Sequence, residues 1–133
     1  MKKYVNNKGQ VATEYLFLMA VLLGIIAIIA GYSFLTYQET VKMQNLNSSL
    51  NALGNAAKYV KATGSGNSIL TKIILPEGIT SSNISGGKIT IARNGTDFTN
   101  TLDFNLSGTL PIEQGVYTIR VYATDNNVSF QAI

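Results

Sequence analysis

The chain offers little of the usual chemistry of catalysis. It contains no His and no Cys, which removes most zinc sites, thiol nucleophiles, His-based triads and any disulfide framework. Its seven Asp and Glu are scattered along 133 residues. Asp97 and Asp103 come nearest to a cation site, but their spacing matches no calcium-binding loop, and solvated turn and strand-edge carboxylates are the simpler reading. No nucleophile–base pair stands out, so no enzyme, cofactor or metal is expected. Two groups of residues remain. Glu14 is a lone carboxylate at the head of a long apolar stretch. Five Asn-x-Ser/Thr sequons, at Asn47, Asn83, Asn94, Asn105 and Asn127, are acceptors for N-linked glycan on an exported chain. At least Asn94 is expected to carry glycan.

The elements that must position these residues follow from the distribution of charge. Residues 1–9 hold Lys2, Lys3 and Lys8 and no acid. Tyr15 to Gln38 is then free of charge for 24 residues. As a helix this run spans roughly 36 Å, enough to cross a hydrocarbon core of about 30 Å. Tyr15 at one end and Tyr32, Phe34 and Tyr37 at the other are interfacial residue types. Lysines before the span place the N-terminus in the cytoplasm and the remainder outside. A cleaved secretory signal would be shorter and end in a small-residue site of the A-x-A kind. No such site followed by a polar change is present, which leaves a plain signal anchor as the alternative on hydropathy alone.

The helical pattern continues beyond Glu39. Leu46, Leu50, Leu53, Ala57 and Val60 form one stripe of 3.6-residue period, and the first strong stop is Gly64-Ser65-Gly66-Asn67. The spacing predicts one helix from Gln10 to about Ala62, apolar all round in its first half and amphipathic in its second. Ala20, Gly24, Ala27 and Gly31 form a separate small-residue stripe, which would let helix backbones approach closely in an apolar medium. Small residues are also simply frequent in membrane helices.

From Ile69 the period changes to two. Ile69–Leu75, Ile89 with Ile91, Leu102–Phe104–Leu106, Tyr117–Ala123, and Val128 with Phe130 read as half-buried strands. Asn94-Gly95 is a two-residue hairpin signal, and Asp125-Asn126-Asn127 a turn. Pro76, Gly86-Gly87 and Pro111 punctuate the rest. Five or six antiparallel strands make a marginal core alone, so the Leu46–Val60 stripe should supply the missing layer. The expected class is α+β: a long N-terminal helix, membrane-spanning in its first half, with a small antiparallel sheet or sandwich packed on its second half. The divisions are a basic leader at 1–9, an apolar half-helix at 10–38, an amphipathic half-helix at 39–63 and a β-rich headpiece at 64–133.

The junction Lys8-Gly9-Gln10-Val11-Ala12-Thr13-Glu14-Tyr15-Leu16 carries the most specific pattern. A short basic leader ends in Gly, an apolar helix follows directly, and one carboxylate lies at the fifth position after the Gly. This resembles the class III signal peptide of type IV pilin-like proteins, in particular the archaeal pilins with Gln at the first mature position and a Glu-Tyr pair. The motif covers about ten residues, while a long helix with a β-rich headpiece covers nearly the whole chain. Archaellins have related leaders but generally Gly-Ile-rich mature starts, a departure that favours a pilin. The resemblance implies cleavage between Gly9 and Gln10 by a membrane-embedded prepilin peptidase. It implies storage of the mature subunit in membrane lipid, then extraction by a membrane pilus assembly machinery into an adhesive cell-surface filament of its own copies. It also implies that Glu14 pairs with the new α-amino group of an adjacent copy and sets axial register. The residue-level alternative for Glu14 is a headgroup-level carboxylate favoured by the helix dipole.

Charge bears on the partners. The formal net charge is +3, but all of the surplus is Lys2, Lys3 and Lys8; residues 10–133 hold seven basic and seven acidic side chains. Charged residues are only 13% of the chain, with no basic clustering beyond the leader, so no nucleic-acid partner is expected. A near-neutral mature chain meets little repulsion from its own copies. The competing readings are a monomeric, single-pass membrane-anchored binding module facing outward, and a minor pilin or pseudopilin.

Overall fold

The structure, a computed structural model, describes residues 7–133. The first six residues of the leader, with Lys2 and Lys3, lie outside the described residues. Helix α1 spans Asn7–Thr63. Seven strands follow: β1 Ser68–Leu75, β2 Ile79–Ser85, β3 Lys88–Arg93, β4 Thr96–Thr101, β5 Leu106–Gly108, β6 Gly115–Ala123 and β7 Val128–Ala132. The layout is α+β, as the change of period predicts. Two compact units divide the chain, Met1–Glu39 and Thr40–Ile133.

In the first unit, α1 already includes residues 7–9, ahead of the expected start at Gln10. Gly9 is therefore a helical residue. Its carbonyl accepts a hydrogen bond of 2.9 Å from the Thr13 hydroxyl, and Thr36 does the same to Tyr32 O at 3.0 Å. These back-bonds give hydroxyl side chains an acceptor within an apolar helix. By length and composition the helix suffices to cross a membrane.

In the second unit, Leu46, Leu50, Leu53, Ala57 and Val60 are all buried, together with Ala56. They share one core with Ile73 and Leu75 of β1, Ile89 and Ile91 of β3, Ile119, Val121 and Ala123 of β6, and Val128 and Phe130 of β7. The helix ends where Gly64 adopts a left-handed φ of 97°. Gly64 N donates to Val60 O at 3.0 Å, and Asn67 Nδ2 donates to Thr63 O at 2.9 Å. A residue without Cβ is the one that takes this cap cheaply.

The strands form two sheets, β1-β6-β7-β5 and β2-β3-β4. Pairing is antiparallel except for β5 and β7, which run parallel over three residues from Leu106↔Val128 to Gly108↔Phe130. The small antiparallel headpiece is as expected, with seven strands instead of five or six and this one short parallel pair. The Asn94-Gly95 hairpin joins β3 to β4, with φ of 50° and 79° at the two turn residues, the primed geometry that matches strand twist.

Three strand assignments also differ from the sequence expectation. Leu102 and Phe104 are not in a strand; only Leu106 is. Their segment bends over the β2–β3 turn, where Gly87 O accepts from Leu102 N at 2.7 Å and Gly86 O accepts from Leu106 N at 2.6 Å. Strand β2, which no alternation marked, carries a bulge between Ile79 and Ser81. With Thr80 as the extra residue, Ile79, Ser82 and Ile84 oppose the buried Arg93, Ile91 and Ile89. Two apolar residues five apart thus reach one face, which a strict period of two forbids. Strand β4, Thr96–Thr101, is polar in sequence and presents only Phe98 and Asn100 inward as half-buried side chains.

Candidate functional site

The residues of the leader junction lie on exposed helix. Gly9, Gln10 and Glu14 are all exposed. Gln10 and Glu14 are four residues apart, so they stand one above the other on one helix face. Ala20, Gly24, Ala27 and Gly31 form one exposed stripe. A Cβ built on Gly24 or Gly31 would meet nothing within 4 Å, so no contact within this chain requires glycine at either place. At about 100° of rotation per residue, the Gln10–Glu14 face and the small-residue stripe point in clearly different directions.

Around them the surface is apolar. The aliphatic and aromatic side chains from Val11 to Tyr37, sixteen in all, are 45–74% exposed. Covering one such side chain is worth roughly 1.5–3 kcal/mol, and an apolar surface this extensive is compatible with membrane anchoring.

The five sequons occupy different local structures. Asn47 is exposed on α1, but its third residue, Ser49, is buried. Ser49 Oγ donates to Ile74 O at 3.0 Å and accepts from Ile74 N at 2.9 Å, which covers the outer edge of β1. Asn83 is exposed on β2. Asn94 occupies the left-handed first position of the β3–β4 turn, and its side chain lies against Gly78, where a Cβ would come 2.8 Å from Asn94 Oδ1. Asn105 is exposed just before β5, not within a strand. Asn127 is half-buried before β7; its Nδ2 donates to Ser107 Oγ at 3.3 Å, and its Oδ1 accepts from the Thr124 hydroxyl.

No group of three or more metal-ligating side chains occurs among the described residues. Asp97 lies on β4 and Asp103 in the bend after it, both exposed.

Several structural contacts had no signal in the sequence. Asn100 Nδ2 donates to Leu50 O on α1 at 2.9 Å. It reaches that carbonyl because residue 54 is Gly: a Cβ there would fall within contact distance of the Asn100 amide, 3.2 Å from its Cγ. Lys42 forms an ion pair with Glu77, and the buried Arg93 donates through Nε to Glu77 O at 2.8 Å. These partners are 16 to 50 residues apart, beyond any local pattern. No protein-family model matches the chain, and no curated protein or solved structure matches it either.

Proposed function

We propose that the chain is the precursor of a structural filament subunit, similar to the archaeal type IV pilins. In this reading a prepilin peptidase cuts between Gly9 and Gln10. The apolar helix first anchors the subunit in the cytoplasmic membrane with the headpiece outside. The assembly machinery then transfers it into a bundle of equivalent helices at the core of a surface filament for adhesion. The observation that supports this most is the Val11–Tyr37 surface, apolar and exposed on every side of the helix. Lipid and neighbouring helices are the two surroundings that suit it. Glu14 and the α-amino group of Gln10 supply a charge pair between copies. An unpartnered carboxylate within such a bundle would be strongly disfavoured, so axial register follows from pairing. The stripe Ala20, Gly24, Ala27 and Gly31 is then a line of close helix approach.

The test is electron microscopy of surface filaments with N-terminal sequencing of the same material. The expected mature start is Gln10, and Gly9→Val should leave the leader uncleaved and abolish filaments. Filaments built from a subunit that keeps its leader would overturn the reading. A membrane-bound, uncleaved and unpolymerised protein would instead favour the anchored binding module.

A further inference from the structure

The five sequons are unequal as acceptors. In N-glycosylation the Asn Nδ2 forms a bond to the anomeric carbon of a lipid-linked oligosaccharide. The bond from that carbon to the lipid phosphate breaks, the phosphate leaves with the electron pair, and the amide proton passes to the transferase. The transferase needs an accessible Asn amide and a Ser or Thr hydroxyl it can bind two residues on.

Three sequons have that hydroxyl engaged by the fold. Ser49, serving Asn47, is buried and doubly bonded to Ile74, on a helical backbone. Ser107, serving Asn105, and Ser129, serving Asn127, are hydrogen-bonded to each other at 2.7 Å, and Asn127 Nδ2 donates to Ser107 as well. The Asn105 and Asn127 sequons therefore lock one another. Asn94 has a free-standing Thr96, but its side-chain amide lies in the turn against Gly78. Asn83 differs from all four. It lies on β2, an edge strand of its sheet, and Asn83 and Ser85 are two apart on the exposed face. Neither side chain hydrogen-bonds to another described residue.

We infer that Asn83 is the N-glycan acceptor of the folded chain, in preference to Asn94. The inference rests on the headpiece facing outward. It is independent of filament formation.

The test is peptide mapping by mass spectrometry of the full-length protein purified from its native membrane or filaments, beside the variants Asn83→Gln and Ser85→Ala. Both side chains are exposed, so both variants should fold. Sugar mass is expected on the peptide containing Asn83 and should vanish in both variants, including Ser85→Ala, which keeps the acceptor amide. A bare Asn83 with glycan on any other sequon overturns the inference. Where all five are bare, protease treatment of intact cells separates the causes: an accessible headpiece overturns the assignment alone, and a protected one overturns the outward topology together with it.

Discussion

Substituting Gly54 by Ala sets two effects of opposite sign against each other. In a helix interior Ala is favoured over Gly by about 0.8–1 kcal/mol, so an unobstructed site would gain stability. Here the new Cβ would displace the Asn100 amide from Leu50 O, which it now reaches at 2.9 Å. Losing that bond while a half-buried amide stays unpaired costs about 1–3 kcal/mol. Relieving the overlap adds about 1 kcal/mol or more. Destabilisation wins, by roughly 1–3 kcal/mol, and the melting temperature of a unit this size should fall by about 4–8 °C per kcal/mol. In an Asn100→Ala background the obstruction is gone, and Gly54→Ala should stabilise by about 1 kcal/mol. The sign reversal is the signature. Urea unfolding of the full chain in detergent, followed by near-ultraviolet circular dichroism of Tyr117 and Tyr122 on β6, gives the four stabilities of the cycle. If Gly54→Ala raised stability equally in both backgrounds, the account of this glycine as the seat of the β4 side chain would be refuted.

Two further outcomes follow from the same geometry. Ser49→Ala removes the partner of both Ile74 backbone groups; it should destabilise by about 1–3 kcal/mol and speed hydrogen exchange at the Ile74 amide more than at β6 amides, and unchanged Ile74 protection would contradict the contact. Glu14→Ala should leave the headpiece stability unchanged while reducing filament yield, measured by electron microscopy beside Tm; normal filaments would remove Glu14 from the assembly scheme.

What could be read from the sequence was whatever had a local period. The Leu46–Val60 stripe, the alternation in β1 and β6, and the Asn94-Gly95 turn all depend on neighbours within a few residues. Strand β2 escaped because one bulged residue, Thr80, breaks the alternation, and β4 because half of its inward face is an asparagine serving a helix carbonyl. The Leu102–Leu106 alternation misled because its amides are taken by the Gly86 and Gly87 carbonyls, a long-range fact. The sequons were likewise visible only as triplets. Whether their hydroxyls are engaged depends on Ile74, Ser129 and Ser107, which lie 20 or more residues from the groups they bond.

The helical conformation of Gly9 and Gln10 has a kinetic consequence for the proposed cleavage. A peptidase acts on extended backbone, whereas the Gly9–Gln10 bond lies within α1. The Gly9 carbonyl is tied down and has the Thr13 hydroxyl as an additional donor. Opening the substrate therefore means releasing the helical hydrogen bonds at this bond, with glycine, the weakest helix former after proline, at the place of opening. Processing would be paced by local melting of a single turn, and the rest of the helix could stay folded in the bilayer while its leader is removed.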